Sequence, residues 1–291
     1  MSERSNCVLV TGAGGLLSAT LIPELKGLGH QVVATSRDAS TELRCNLADA
    51  DEVLQLLDRV RPAGIVNLAA ATNVDQCETD PRFALMGNLK PVENIVSWML
   101  MRGSSCHLLH ISTDQVYSGP GPHLEAEAFP VNVYGLSKLA AELVAARVNA
   151  TIVRTNFVGR SERQGRESLS DWMIRVLRHH EPANVYEDVL FSPITMRGLS
   201  RVVDLMLARR VSGTFNVGSH EGKSKADFAF GLAYRLGIPA AGLRRVRAES
   251  LSGRIRRPAD MRMNVLNFEH EFGVKLPTFD QLLDELGVEY E

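Results

Sequence analysis

Cysteine is scarce in this sequence. Its four copies, Cys7, Cys45, Cys77 and Cys106, lie far apart and form no CxxC pair, so no disulfide framework or thiolate metal site is written into the chain. A reducing compartment is the natural setting. Long apolar runs are missing too. Nothing approaches the roughly 18 apolar residues of a bilayer span, and "CVLV" (7 to 10) is far too short for the core of a secretory leader. A cytoplasmic location with no membrane partner is the expectation. Neither charge is in excess: 32 basic and 34 acidic side chains give a formal net charge of -2, which offers nothing to nucleic acid. Metal ligands do not cluster either. His107 and His110 sit three apart on a strand and so face opposite sides, while the adjacent His179 and His180 suit a helix end.

What the chain does have is 45% hydrophobic residues over 291 positions, enough for one sizeable core or two closely joined domains. Apolar runs alternate with helical patterns through the first half. "CVLV" (7 to 10), "QVVATSR" (31 to 37), "GIVNLAAA" (64 to 71), "HLLHIS" (107 to 112) and "TIVRTNFVG" (151 to 159) read as strands. "LLSATLIPELKGLG" (16 to 29) and "ADEVLQLLDRV" (50 to 60) read as helices between them. Continuous runs of this kind, joined by helices, indicate an α/β fold with a doubly wound parallel sheet of the Rossmann type. Beyond residue 160 the texture changes. A polar loop "RSERQGRES" (160 to 168) precedes a helix (169 to 180), a strand-like "ANVYEDVLFSP" (183 to 193), "GTFNVGS" (213 to 219), a helix (225 to 237) and a closing helix (278 to 287). Residues 1 to 160 are expected to form the nucleotide-binding domain and 161 to 291 mainly a smaller substrate-binding domain. Strands near 190 to 220 are expected to return to the main sheet.

Between the first strand and the first helix stands a glycine cluster, "TGAGGLL". Gly12, Gly14 and Gly15, with Leu16 and Leu17 opening the helix, form a turn whose backbone N–H groups can approach a phosphate. Ser18 stands where a third glycine would, and it is small enough to keep helix and sheet close. The second strand ends Thr35-Ser36-Arg37, with no carboxylate before Asp38. Ser36 and Arg37 suit a ribose 2′-phosphate, so NADPH is favoured and NADH remains possible.

"NVYGLSK" places Tyr134 and Lys138 one helical turn apart on one face. With five tyrosines in the chain, such a pair is not common noise. It follows a strand end at Thr113, and strand C-termini of an open parallel sheet face the ligand crevice. A phenol, ordinarily near pKa 10, works at neutral pH only when a cation favours its anion, and Lys138 supplies one. Thr113 can hydrogen-bond and orient a substrate oxygen.

With "RPAGIVNLAAATNVDQCE", "HISTDQVYSG", "PVNVYGLSKLAAE", "IVRTNFVG", "GTFNVGS" and "RPADMRMN", the chain resembles the extended short-chain dehydrogenase/reductase superfamily nearly end to end. Within it, the sequence is most similar to the dTDP-4-dehydrorhamnose reductase family. The resemblance implies a catalytic set of Thr113, Tyr134 and Lys138, with Asn88 supporting the lysine through water. It implies cofactor contacts from the glycine loop, from Asn46 and Leu47 in "CNLAD", from Leu68, Ala69 and Ala70, and from Phe157, where related reductases place tryptophan. Asn46 replaces the usual aspartate. Thr72, Val74 and Asp75 are implied at the sugar, with Asp114, Gln115 and Asn156, while Arg256 and Arg257 are candidates for the substrate diphosphate.

Dehydratases of this likeness carry Asp-Glu after the threonine, because eliminating water needs a paired acid and base. Here the pair is Asp114-Gln115, and Gln115 cannot take a proton. Reduction of the 4-keto group of a nucleotide-linked 4-keto-6-deoxysugar is therefore the expected reaction. A 4-epimerase, or a non-catalytic NADP-binding regulatory subunit, are the alternatives. A homodimer is a possible assembly.

Overall fold

Runs of Val, Ile and Leu without polar alternation build the main sheet. The computed structural model describes residues 7–37, 41, 43–248 and 255–291. Six strands come from the first half: β1 (Cys7–Thr11), β2 (Gln31–Ser36), β3 (Leu43–Arg44), β4 (Gly64–Asn67), β5 (His107–Ile111) and β6 (Ala150–Thr155). Four short strands follow, β7 (Phe157–Val158), β8 (Ala183–Tyr186), β9 (Leu190–Phe191) and β10 (Ile194–Thr195). The last four are β11 (Gly213–Val217), β12 (Lys223–Ser224), β13 (Leu243–Val246) and β14 (Asp260–Met261). The seven-stranded sheet runs β11-β6-β5-β4-β1-β2-β3. Its order reverses between β1 and β4, which pair in parallel, so the crevice beyond their carboxyl ends is the fold's natural ligand position.

The helices are α1 (Leu16–Gly27), α2 (Ala50–Val60), α3 (Val74–Thr79), α4 (Pro81–Ala84), α5 (Lys90–Arg102) and α6 (Val133–Ala145). They are followed by α7 (Leu169–Arg178), α8 (Met196–Arg209), α9 (Lys225–Arg235), α10 (Leu266–Phe272) and α11 (Phe279–Tyr290). Between α4 and α5, residues Leu85–Leu89 form one π-helical turn. Local chemistry sets several of the boundaries. The Asp49 carboxylate accepts from the backbone N–H of Asp51 and Glu52 at the head of α2, and Arg61, in a left-handed conformation, ends that helix. Ser168, Ser224 and Thr278 make reciprocal caps with Asp171, Asp227 and Gln281 at α7, α9 and α11.

The described chain divides into two units. The first holds residues up to Thr113, then Asn132–Arg154 and Ser200–Phe215. Its buried cluster packs Leu9, Ile65, Leu108 and Ile152 of the sheet against Leu57, Val96, Trp98 and Ala141 of the helices. The second unit holds Asp114–Val131, Thr155–Leu199 and Asn216–Glu291. Its core is aromatic at the centre, where Phe228 meets Phe191 edge-on at 5.7 Å and Phe279 at 6.4 Å.

Three strand expectations are corrected in detail. "TIVRTNFVG" is two strands: β7 pairs with β10, and the Asn156 carbonyl accepts from Ile194 N (2.9 Å). "ANVYEDVLFSP" is also two, with β8 against β13 and β9 between β12 and β14. "GIVNLAAA" stops as a strand at Asn67, and the backbone beyond it turns to side chains, Ala69 N to Asn67 Oδ1 (3.3 Å) and Ala71 to Asn88.

Phe228→Ala should cost about 3–5 kcal/mol of unfolding free energy, since two ring partners and the cavity they leave cannot collapse together. A denaturant midpoint equal to the parent's would refute this account of the second core.

Candidate active site

The glycine turn is shaped by a close backbone approach. Gly12 lies at φ +68°, and a Cβ there would sit 2.7 Å from the backbone N of Ala69 and 2.8 Å from the Leu68 carbonyl carbon. The turn after β1 and the segment after β4 are therefore pressed together, and only glycine fits between them. Gly15 opens α1 with no side-chain cap, and no acidic residue occupies the first turn. Those first N–H groups are left for an anion. Ser18 is fully buried, and its hydroxyl donates to the Gly15 carbonyl at 2.9 Å, which ties the turn to the helix. Leu17 is buried and Leu16 partly so.

The other residues expected at a dinucleotide are distributed around this turn. Ser36 is buried at the end of β2, 3.2 Å from the Thr41 hydroxyl, and Arg37 is exposed just beyond it. Asp38 lies outside the described residues. Asn46 is exposed, and its side-chain oxygen accepts from Ala48 N (3.3 Å). The buried Leu47 offers its carbonyl to Asn94 Nδ2 at 2.8 Å. Leu68 and Ala69 are partly buried and Ala70 is exposed.

The π-turn carries the next constraint. A Cβ at Gly87 would lie 2.6 Å from Ala71 Cβ, so the helix can meet the chain after β4 only with glycine there. The following residue, Asn88, is wholly buried. Its Oδ1 accepts from Ala71 N (2.7 Å), and its Nδ2 donates to Ala71 O (3.2 Å) and to Ser137 Oγ (2.9 Å). Ser137 Oγ in turn donates to the Tyr134 carbonyl at 2.7 Å. Asn88 thus reaches the tyrosine's helix directly, through Ser137, and its side chain also completes the backbone of Ala71 as a paired strand would. π-turns recur at functional sites for this reason: one extra residue re-aims a side chain.

Tyr134, Lys138 and Glu142 share one face of α6, and all three are buried. Asn132 caps this helix, accepting from Gly135 N at 2.8 Å. Lys138 Nζ donates to the Ile111 carbonyl at 2.7 Å, which staples α6 to the end of β5 two residues before the buried Thr113. Burial pushes the Lys138 ammonium down to about 8, and the Glu142 carboxylate opposes that fall. Beneath it, His110 Nδ1 lies 3.0 Å from Asn67 Nδ2, and burial followed by the Lys138 charge keeps the ring neutral. Such a face can hold a phenol beside a cation next to a hydroxyl at a strand end, which is the equipment for moving one proton.

Three residues that the sequence reading did not single out complete this face. Glu142 accepts from the Ser112 hydroxyl and from Arg154, whose Nε lies 3.1 and 3.0 Å from the two carboxylate oxygens and whose NH2 lies 2.6 Å from one. The signal was there: a glutamate four residues beyond Lys138 repeats the Tyr-to-Lys step onto the same buried face.

The remaining expected residues stand as follows. In the first unit, Thr72 and Asp75 are exposed and Val74 is buried at the start of α3. In the second, Asp114 is buried and Asn156 Nδ2 donates to it at 2.8 Å. Gln115 and Phe157 are partly buried, and Arg256 and Arg257 are exposed.

The sequence matches the model for the RmlD substrate binding domain over residues 6–290. The chain belongs to that family. A dTDP-4-keto-6-deoxy-D-glucose reductase of Streptomyces niveus is 30% identical over 86% of this chain and 85% of its own. The dTDP-4-dehydrorhamnose reductase of Escherichia coli strain K12 is 29% identical, covering 96% of this chain and 97% of its own. Among solved structures, a Bacillus anthracis dTDP-4-dehydrorhamnose reductase in complex with NADP has the same fold, at a TM-score of 0.86 and 24% identity over 97% of this chain and 99% of that one.

Removing the Asn88 amide by Asn88→Ala strands the buried N–H of Ala71 and leaves its carbonyl only the weaker Cys77 Sγ contact at 3.6 Å, at about 1–3 kcal/mol for the unmade N–H bond. Thermal unfolding should register a loss of that order, and an unchanged Tm would show that Asn88 is not what closes this junction.

Proposed function

We propose that this chain is an NADPH-dependent reductase acting on the 4-keto group of a nucleotide-linked 4-keto-6-deoxysugar. The observation that carries the reading is the buried face of α6, where a tyrosine and a lysine are held at the end of β5 beside Thr113. The names of the reductases similar to this chain over most of their length support the same substrate class.

The residues fit a dinucleotide phosphate. The backbone N–H groups at the head of α1 have no side-chain cap, and the turn at Gly12 has no room for a Cβ. The pyrophosphate would be held there, with Ser36 and the exposed Arg37 on the 2′-phosphate. When bound, NADPH supplies the hydride. Tyr134 gives its phenolic proton to the oxygen of the former ketone, and Thr113 hydrogen-bonds and orients that oxygen. Lys138 favours the resulting phenolate by its charge and, pinned to the Ile111 carbonyl, keeps one position throughout. Gln115 cannot take a proton, which argues against elimination of water. A cytoplasmic location belongs to the same reading, and no helix among the described residues is long and apolar enough to cross a membrane.

The test is oxidation of NADPH by the purified protein with dTDP-4-keto-6-deoxy-L-mannose and related 4-keto sugars. Tyr134→Phe should lower the rate by about 10²-fold or more, the worth of a positioned proton donor. Arg37→Ala should raise the KM for NADPH by about tenfold while leaving that for NADH nearly alone, as expected for one charged hydrogen-bond partner. Binding of NADPH without turnover of any such sugar would defeat the reductase reading in favour of a regulatory role. Tightly retained NAD without net turnover would favour a 4-epimerase.

A further inference from the structure

We propose that Glu142 is a positioning residue for the Tyr134–Lys138 pair: through Ser112 and Arg154 its carboxylate ties α6 to the ends of β5 and β6, and by its charge it keeps the Lys138 ammonium protonated. The inference rests on the reductase reading above and assigns a role to a residue that contacts neither substrate nor cofactor.

The geometry gives one carboxylate three donor groups. Ser112 stands between Ile111, whose carbonyl receives Lys138 Nζ, and Thr113. Arg154 is the fifth residue of β6 and reaches Glu142 with a fork of hydrogen bonds at 2.6 to 3.1 Å. All of Ser112, Lys138, Glu142 and Arg154 are buried. Each end of this clip therefore fixes something the proposed chemistry uses: β5 carries the threonine, α6 the tyrosine and lysine. Glu142 is one turn from Lys138 and two from Tyr134, so its position sets the rotation of the helix face that presents them.

A clip needs no charge. Buried ion pairs roughly break even against apolar residues of the same shape, so mere attachment of a helix to two strands could be done without one. The charge has a second use here. The Lys138 ammonium donates to a neutral carbonyl, and Glu142 is the anion that resists its deprotonation on burial. The titratable and charged groups around Lys138 are few. On α6 they are Tyr134 and Glu142; on β5, His110, which is neutral; on β6, Arg154; on α3, the exposed Glu78, whose carboxylate accepts from Val133 N at 2.9 Å; and the π-turn contributes the uncharged Asn88. One buried carboxylate, Glu142, among two buried cations, Lys138 and Arg154, leaves a single buried positive charge in excess. That excess favours a phenolate at Tyr134 without stranding Lys138 unprotonated.

The experiment is the pH profile of kcat/KM for 4-keto-sugar reduction at saturating NADPH. The wild-type alkaline limb should fall near pH 8, where Lys138 loses its proton. Glu142→Gln keeps the shape and removes the charge, and should move that limb down by about one pH unit. Glu142→Asp keeps the charge and loosens the clip, so kcat should fall while the limb stays. If Glu142→Gln does not fold because Arg154 loses its carboxylate, the double variant Glu142→Gln with Arg154→Met removes both charges. Its limb should move down by less than in Glu142→Gln alone, because losing the Arg154 cation offsets part of the loss of the anion. A purely structural clip lowers Tm and leaves the limb at the wild-type pH in both variants; that result overturns the assignment. Wild-type protein that oxidises no NADPH with any 4-keto sugar takes down the reductase reading and this inference with it. Normal turnover with a fixed limb takes down only the inference.

Discussion

A lysine with 2% of its surface exposed is the constraint around which the first unit is organised. Burying an ammonium is expensive unless its donors and its charge are met. The Ile111 carbonyl meets a donor, and Glu142 partly meets the charge. Satisfying them dictates how α6 lies. Its polar residues Tyr134, Lys138 and Glu142 face inward, whereas Leu136 and Leu143 are 57% and 68% exposed. The buried face also carries Ala141 and Ala145, so its apolar share is small side chains rather than leucines. The polar share is held by specific bonds. The Asn132 cap, the Ser137–Asn88 link, the Lys138 staple and the Glu142 fork are those bonds.

Two glycines then make the surroundings close enough for these bonds to form. At Gly12 the turn after β1 touches the backbone after β4, and at Gly87 the π-turn touches Ala71. Both contacts involve the four residues that follow β4, so that short segment is clamped from two sides. On one side the clamp leaves the open head of α1. On the other it delivers Asn88 to Ser137. The glycine turn before α1 and the buried face of α6 are in this way linked through a few backbone atoms of residues 68–71 rather than through a long network.

The order of elements in the first unit was legible because its signals are local. β1 and α2 follow from unbroken Val/Leu runs and from an aspartate cap before a helical period, and α2 occupies the residues its pattern marks. The Tyr134–Lys138 spacing was legible for the same reason: four residues on a helix is a statement about one face. What the sequence hid was everything that depends on distant partners. The π-turn is invisible, since the glycine in "LMGNL" reads only as a weak point in a helix, and its geometry comes from Ala71 pressing on Gly87. α8 was passed over because Gly198 and its polar neighbours dilute the pattern, yet Thr195 caps it at Gly198 N (2.9 Å). The short strands of the second unit have two to four residues each and no pattern of their own. Glu142 and Arg154 were missed because each looks like an ordinary surface charge until β6 and α6 are brought together.

The buried lysine also sets stability against activity. Its proton is held more weakly in the folded chain, at about 8, than at the ordinary lysine value of 10.5. Between those values the unfolded chain binds more protons, so folding stability rises with pH across the window. The burden on the native state is fully felt below about 8 and has gone above 10.5. On the order of 3 kcal/mol is involved, at about 1.4 kcal/mol per pKa unit. Activity that needs a protonated Lys138 runs the other way, falling as pH rises through the same window. A group serving only the fold would not be kept where its charge is least welcome. Under the role proposed for Lys138 the two pH dependences oppose each other, and the unused alternative, an apolar residue at position 138, would be the more stable one.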